Sequence, residues 1–418
     1  MTASAGVTSC NVEVTLRRHF IDLNNIYMLF KIAMIFTRSL QLTGLRRTAF
    51  LFGPRMTGKS FLLRGLAVDL YVDLLDPELD LQLKRSPRFF WEQLAALKPR
   101  AFVVVDEVQR VPALLDYVQK GIEEKQLVFV LSGSSARKLK RGGANLLGGR
   151  AKDLKLHPLT RTELGTHFSI QQACHYGTLP KTAQLLVSHD TEEARSFLRS
   201  YVTTYIKEEI QAEALTRHVG AFQRFLHVAA QGNAQVVEFA NISRECSVPA
   251  STVKEYYSIL EDTLLGNFVW PWDRSERKKA RPKFYFFDCG VVRAIQNRLT
   301  DPPTADEMGR LFETWLIREL IRIRDYSEAP HEFSMWREGP HEIDLLITGG
   351  RGPLLAVECK TGHEGISAAT LRAFKSRFPK VPLIVASLKD SVPRRLDTGV
   401  DILPWEKMLA RYQDLVGA

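Results

Sequence analysis

Residues 53–60, Gly-Pro-Arg-Met-Thr-Gly-Lys-Ser, have the types and spacing of a phosphate-binding loop. Glycines let the backbone turn tightly, so that successive N–H groups converge on phosphate oxygens, and the positive end of a following helix faces the same anion. In this pattern Lys59 reaches the outer phosphates, and the hydroxyl of Ser60 binds Mg²⁺. ATP and Mg²⁺ are therefore the predicted cofactors. The residues expected to contact the nucleotide are Gly53, Pro54, Arg55, Thr57, Gly58, Lys59, Ser60 and Phe61.

A second group of chemically capable residues follows an apolar run, Val-Val-Val-Asp-Glu at 103–107. A buried strand that ends in two carboxylates places Asp106 beside the loop, where it holds Mg²⁺. Glu107 is then positioned to polarise the attacking water. Together with the loop about fifty residues earlier, this pair predicts ATP binding and hydrolysis.

The run Ser-Gly-Ser-Ser at 132–135 follows another apolar segment. A polar side chain at the tip of a neighbouring strand can orient the water or contact the γ-phosphate, and Ser134 is the predicted residue. The alternative is an ordinary turn of small residues.

These residues need elements to position them. Apolar runs at 49–52, 101–105 and 127–131 predict strands buried on both faces, and a helical pattern covers 60–70. Strands that alternate with helices predict a parallel sheet with helices on both sides. We therefore expect an α/β domain at 36–160.

A third group of residues lies near the C-terminus. Strands are predicted at 342–347 and 354–359, joined by a Gly-Gly-Arg-Gly-Pro turn. Glu358 and Lys360 share one face of the second strand, and Asp344 on the first can join them. The carboxylates would hold a metal ion, with Glu313 as a further ligand, while Lys360 orients water. The spacing is loose, so the alternative is a domain that binds or assembles without catalysis.

Between these regions, residues 241–266 have the pattern of a helix-turn-helix, with a wing predicted at 268–272. A recognition helix at 252–260 is expected to start with Ser251 as its N-cap and to carry Lys254 and Tyr257 outward. A basic run at 274–281 favours a phosphate backbone nearby. A helical lid that packs only on protein is an equal alternative.

The composition is that of a globular protein: 45% of the residues are hydrophobic and 25% charged. The net charge of +10 fits a polyanion such as DNA, or a solvated basic surface. No apolar run is long enough to span a bilayer, and five scattered cysteines favour a reducing compartment, so a cytoplasmic protein without a membrane partner is predicted. Residues 1–35 are predicted to be an N-terminal extension, with Met34 as a candidate start.

The motifs at 53–60, Asp-Glu-Val-Gln at 106–109, and 133–139 through Gly-Arg-Ala at 149–151 resemble a large prokaryotic family of AAA-type ATPases. The resemblance implies an arginine that stabilises the transition state, from the same or a neighbouring subunit. Arg150 and Arg137 are the candidates. For each of them, a contact to a phosphate backbone or a plain surface charge is an equal alternative. It is also compatible with homo-oligomers, without fixing the number of subunits.

Asp344, Glu358 and Lys360 resemble the motif of the restriction-endonuclease-like superfamily, although the nearest preceding proline, Pro340, is four residues from Asp344. The resemblance implies an α/β restriction-endonuclease-like domain at 281–418, and the helical pattern ahead of it predicts a helical or winged-helix middle domain at 161–280. Two hypotheses follow. One is an ATPase that acts on DNA with a metal-dependent nuclease domain. The other is a nucleotide-gated switch or scaffold, whose nuclease-like domain is a binding or assembly module.

Overall fold

A computed structural model describes residues 36–134, 147–206, 219–272 and 281–417, all within one compact unit at 36–418. Side chains at 205, 206 and 219 are likewise outside the description. The predicted extension at 1–35, Arg137 and most of the basic run at 274–281 lie outside the described residues.

The first region is a parallel sheet flanked by helices. Its elements are β1 (Ala49–Phe52), α1 (Lys59–Arg64), β2 (Leu70–Asp73), α2 (Pro77–Arg85), α3 (Arg88–Ala96), β3 (Phe102–Asp106), α4 (Leu114–Lys125), β4 (Val128–Gly133) and β5 (Lys152–Lys155). The strand order is β2-β3-β4-β1-β5, with every pair parallel. All carboxyl ends therefore meet at one edge, and β4 lies between β1 and β3. This confirms the predicted α/β sheet.

Both faces of this sheet are covered. Val103 and Val105 pack into the apolar cluster that includes Leu114, whereas Val104 packs with Leu63 into the cluster on the opposite face. This alternation explains why the strand sequence is apolar throughout. Helix α1 is shorter than the predicted 60–70. It ends at Gly65, a poor helix former, and the chain then crosses to β2.

The middle region is mostly helical. Its elements are α5 (Arg161–Leu164), α6 (Ile170–Tyr176), α7 (Pro180–Val187), α8 (Thr191–Ser200), α9 (Val219–Gln231), α10 (Phe239–Cys246), α11 (Ala250–Asp262), β6 (Gly266–Val269), β7 (Lys283–Phe286) and α12 (Cys289–Ile295). Helices α10 and α11 form the predicted helix-turn-helix, with Ser247 in the left-handed conformation at the turn. Strands β6 and β7 pair antiparallel after it. The predicted N-cap is wrong: Pro249 precedes the first residue of α11, so Ser251 lies inside the helix.

The C-terminal region is a mixed sheet with a long helix ahead of it. Its elements are α13 (Ala305–Tyr326), β8 (Glu332–Glu338), β9 (His341–Gly349), β10 (Gly352–Lys360), α14 (Ala368–Arg377), β11 (Leu383–Ser387), β12 (Arg394–Arg395), β13 (Asp401–Pro404) and α15 (Trp405–Gly417). The order is β12-β13-β11-β10-β9-β8. Strands β9 and β10 form the predicted hairpin, and β10 runs parallel to β11. In the part of the chain described here, no helix combines the length and apolarity that a membrane crossing requires.

Candidate functional site

The loop after β1 has the geometry that its sequence predicts. Gly58 has φ +93°, a conformation that favours glycine, and a side chain at Gly53 would lie 2.4 Å from the carbonyl oxygen of Leu156. Thr57 Oγ1 donates to the Pro54 carbonyl at 2.9 Å, which closes the turn. Lys59 Nζ donates to the Gly53 carbonyl at 2.7 Å. The lysine therefore lies folded over the loop, at the start of α1.

Asp106 is fully buried at the end of β3 and is held by two hydroxyl groups. Ser132 Oγ donates to Asp106 Oδ1, and Tyr71 OH donates to Oδ2 at 3.0 Å. Among the described residues, no lysine or arginine forms an ion pair with this carboxylate, whose partners are the two hydroxyl groups. A buried carboxylate without a protein cation suits an added cation, so Asp106 and the Ser60 hydroxyl fit a magnesium site.

Glu107 follows in the left-handed conformation, with φ 62°. Its N–H donates to Ser132 Oγ at 3.0 Å, and Gln109 Nε2 donates to its carboxylate. A side chain at Gly133 would lie 2.7 Å from Gln109 Oε1, so a larger residue there would displace the Gln109 side chain. Glu107 is thus oriented by groups on the adjoining strand end.

Ser134, the predicted polar residue of β4, is buried just beyond the end of that strand. Its role stays a prediction. Ser132, two residues earlier, is the β4 residue that contacts both Asp106 and Glu107. This role of Ser132 was not predicted, although the residue belongs to the serine run at 132–135. The hydrogen bond from Tyr71 to Asp106 was not predicted, because Tyr71 belongs to no recognisable motif.

Arg150 precedes β5, whose Lys152 pairs with Ala49 at the start of β1. It therefore lies at the edge of the sheet opposite the loop, where it forms a 3.3 Å ion pair with Glu123. A role within its own subunit, one of the two alternatives, is incompatible with that position. A role at the site of a neighbouring subunit stays a prediction.

Phe61 is 59% exposed, and Met56 in the loop is 39% exposed.

Arg38 is a contact to the loop that no motif marked. Its Nη1 donates to the Thr57 carbonyl at 2.6 Å, and its Nη2 donates to Tyr326 OH at 3.1 Å. Its Nε also forms an ion pair with Glu163 at 3.1 Å. Tyr201 OH donates to the Arg55 carbonyl at 3.1 Å. The loop is therefore braced by the middle region and by the C-terminal end of α13.

In the helix-turn-helix, Lys254 is exposed as predicted, but Tyr257 is only 1% exposed. The outward prediction for Tyr257 is wrong. Its ring packs edge-on against Phe225 and Phe284, within the aromatic core that joins α9, α11 and β7.

The three predicted C-terminal residues share one end of the β9–β10 hairpin. Lys360 Nζ lies 2.8 Å from Glu358 Oε1, and Asp344 Oδ2 accepts the N–H of Cys359 at 2.9 Å. Lys283, which was not predicted to be part of this site, lies among the acidic side chains. Its Nζ is 2.8 Å from Asp344, 2.9 Å from Glu313 and 2.6 Å from Glu342.

The charges at this cluster are compensated from within. Burial disfavours the Lys283 ammonium, yet neighbouring Tyr285, Asp344 and Glu313 raise its pKa well above the ordinary value. Burial and the nearby Asp344 raise the pKa of Glu313 to about 7 and that of Glu358 to about 8.

Among the described residues, no group of three or more acidic, histidine or cysteine side chains is arranged to hold a metal ion. The predicted metal site at Glu313, Asp344 and Glu358 therefore does not fit this arrangement, because the Lys283 ammonium takes the place of the metal.

Comparison with known families divides the chain into three matches. Residues 45–165 match a family described as an AAA domain. Residues 168–301 and 308–408 match two families described as domains of unknown function, DUF8612 and DUF4143. Residues 45–165 are therefore similar to AAA domains, whereas the endonuclease-like resemblance at the C-terminus is not confirmed.

Three solved structures are similar over most of their own length. The Orc1 protein of Aeropyrum pernix in complex with DNA is 14% identical, over 62% of this chain and 87% of that chain, with a TM-score of 0.29. The replication initiator DnaA bound to AMPPCP and single-stranded DNA is 12% identical, over 62% and 89%, with a TM-score of 0.26. A DNA polymerase III gamma subunit-related protein of Thermotoga maritima is 14% identical, over 65% and 94%, with a TM-score of 0.21. Scores of this size support no inference about function. No curated protein matches the chain significantly.

Proposed function

We propose that this chain binds ATP with magnesium and hydrolyses it, and that contact with DNA through the middle region regulates the hydrolysis. The observation that carries the proposal is the convergence of three strand ends. The loop follows β1, Asp106–Glu107 follows β3, and Ser132 near the end of the intervening β4 contacts both acidic residues.

Each residue has a role in this proposal. The loop N–H groups and Lys59 hold the phosphates, so that Lys59 exchanges its carbonyl partners for phosphate oxygens. Ser60 and Asp106 would hold magnesium, which when bound neutralises charge on the phosphates. Glu107 polarises the attacking water, after its carboxylate turns away from Gln109.

The DNA part of the proposal is supported by charge and by the arrangement of the middle region. The chain carries a net charge of +10, and α10 and α11 form a helix-turn-helix followed by the β6–β7 pair. Proteins of this architecture place the second helix in the major groove. Lys254 is the exposed cation of that helix.

The test is phosphate release from ATP and magnesium, with and without double-stranded DNA. It compares wild type, Lys59→Ala and a control, Lys98→Ala, which removes an exposed lysine of the same domain. We expect wild type and the control to turn over, DNA to accelerate both, and Lys59→Ala to be inactive. Equal rates for wild type and Lys59→Ala would refute hydrolysis at this site. Turnover that ignores DNA would refute the DNA coupling.

A second candidate concerns the C-terminal region. The Lys283 ammonium among Glu313, Glu342 and Asp344 favours a binding or assembly module over a metal-dependent nuclease. We expect DNA to stay intact with magnesium or manganese, with or without ATP, and size-exclusion elution to shift with ATP. Cleavage that disappears in Asp344→Asn and Lys360→Ala would instead establish the nuclease. An elution profile that ATP leaves unchanged would count against the switch.

A further inference from the structure

A cleft of about 750 Å³ lies where the middle region meets the edge of the C-terminal sheet, and none of its lining residues belongs to the phosphate loop or to the acidic cluster. Its volume is in the range of small-molecule and cofactor pockets, which often form at such junctions. Its lining includes three large aromatic side chains, two arginines and one acidic residue: Trp270, Trp272, Phe333, Arg324, Arg377 and Glu332.

The backbone holds two of these aromatics in place. After β6, the chain runs beside the edge strand β8, where Pro271 bridges Met335. Trp272 N–H donates to the Met335 carbonyl at 2.8 Å, and Met335 N–H donates to the Trp270 carbonyl at 2.9 Å. The Trp272 ring also packs edge-on against Phe378, with centroids 5.0 Å apart. One wall of the cleft is therefore formed by residues that directly follow β6.

Each arginine lies over an aromatic ring. The Arg377 guanidinium is 5.7 Å from the centre of the Trp272 ring, and that of Arg324 is 4.9 Å from the centre of Phe333. Arg324 is further oriented by Asp325, whose Oδ1 accepts from its Nη2 at 2.7 Å. Arg324 also forms an ion pair with Asp325, so its charge is partly compensated. Two guanidinium–aromatic pairs thus face one cleft, each offering a flat apolar surface beside a guanidinium group.

This combination matches a ligand that carries both aromatic rings and negative charges. Bases stack on aromatic side chains and on arginine planes, while phosphates pair with the guanidinium groups. An apolar small molecule would not pair with the two arginines, and the acidic side chains of a peptide would not stack on the flat rings. We propose that the cleft binds unpaired nucleotides of a single-stranded nucleic acid. The inference rests on the proposed contact with DNA and extends it. The β6–β7 pair would flank a bound duplex, and the chain after β6 leads directly into this cleft.

The experiment measures the fluorescence anisotropy of a labelled oligo-dT of twelve nucleotides with the full chain, in the absence of ATP. The test variant is Arg377→Glu, and the matched control is Arg372→Glu, an exposed arginine on the same helix that is not in the cleft lining. We expect Arg377→Glu to weaken binding about tenfold and the control to stay within about twofold. Arg377→Gln should lower the salt slope of binding by about 0.7, the value for one phosphate contact to a single strand.

Trp272→Ala tests stacking, and Trp272→Phe should restore most of the lost affinity because it keeps a flat ring. Equal effects of the two glutamate variants would overturn the proposal, as would poly-glutamate that competes as well as oligo-dT. Oligo-rU in a parallel arm identifies whether DNA or RNA is the better ligand. A chain that binds oligo-dT through Arg377 but releases no phosphate from ATP refutes the proposed function alone. Normal ATP turnover without oligonucleotide binding refutes this inference alone.

Discussion

At the scale of single residues, the proposed ATPase site depends on hydroxyl groups as much as on its charged side chains. Asp106 is buried, and its two carboxylate oxygens accept hydrogen bonds from Ser132 and Tyr71. A buried charge needs such donors, since an unpaired one is costly. Ser132 is the link that also orients Glu107.

Replacing Ser132 with alanine should therefore impair catalysis more than binding. The loss of a buried partner for a charged group is worth about 1–3 kcal/mol, so we expect kcat to fall by about tenfold or more. The Kd for ATP should change by less than about threefold, because the phosphate loop is untouched. Steady-state phosphate release and fluorescent-nucleotide binding check this, with the exposed Ser258→Ala as control. A wild-type kcat in Ser132→Ala would remove Ser132 from the proposed mechanism.

The buried Glu358 predicts a pH dependence of stability. Its folded pKa is raised to about 8 by burial and then by Asp344, whereas an unfolded glutamate titrates near about 4.3. Between these values the native state keeps a proton that the unfolded chain has lost. The contribution of Glu358 to stability therefore falls as the pH rises through this window.

Glutamine imitates the protonated side chain, so Glu358→Gln should gain stability over wild type as pH rises from 5 to 8. The gain should approach but not exceed about 1.4 kcal/mol per pH unit. Urea denaturation at four pH values measures it, with the exposed Glu364→Gln as control. Parallel pH profiles for wild type and Glu358→Gln would contradict the raised pKa.

At the scale of elements, helix α11 shows how one helix divides its faces between core and surface. Val253, Tyr256, Tyr257 and Leu260 are all buried, at the i, i+3, i+4 and i+7 positions of one stripe. Lys254 lies on the opposite side and is exposed. Of the two residues predicted to face outward, only Lys254 therefore does so.

The two positions should respond differently to alanine. Tyr257→Ala should lower the free energy of unfolding by about 3–5 kcal/mol, as large aromatic truncations in cores do. Lys254→Ala should change it by less than about 0.5 kcal/mol, yet weaken duplex DNA binding at all sequences. Urea denaturation and duplex anisotropy separate the effects, with the exposed Lys181→Ala as control. Unchanged duplex binding in Lys254→Ala would exclude α11 as the proposed DNA contact.

At the scale of the whole molecule, helix α13 connects the C-terminal acids to the region of the phosphate loop. Glu313 lies in the first half of the helix, and Tyr326 at its end accepts hydrogen bonds from Arg38 and from the His157 N–H, each at 3.1 Å. Arg38 in turn contacts the phosphate loop at Thr57. The distance along the helix from Glu313 to Tyr326 is about 20 Å, at about 1.5 Å per residue.

Tyr326→Phe should weaken this connection, because it removes the acceptor of the His157 N–H and one of the two acceptors of Arg38 Nη2. We expect a loss of about 1–3 kcal/mol in stability. We also expect a smaller effect of ATP on amide hydrogen exchange at the end of α13 than in wild type. Hydrogen-exchange mass spectrometry with and without ATP tests this, with Tyr117→Phe on α4 as control. If ATP changes the hydrogen exchange of this variant as much as that of wild type, Tyr326 does not couple the end of α13 to the phosphate loop.

The sequence by itself determined the local chemistry of the loop, the acidic strand end and the β9–β10 hairpin. Each depends on a short pattern: glycines that permit tight turns, an apolar run that must be buried, and residues that follow directly along the chain. The stripe on α11 was also present in the sequence, and attention to its spacing would have placed Tyr257 in the core.

Only the tertiary structure decided which distant residues meet. Lys283 reaches Asp344 across 61 positions of sequence, and Arg38 reaches Tyr326 across 288. The position of Arg150 follows from the pairing of β5 with β1, which no motif encodes. A local pattern specifies the conformation of its own segment. The partner of a buried charge depends on how sheets and helices pack, so the sequence did not predict that a lysine from another strand lies within the acidic cluster.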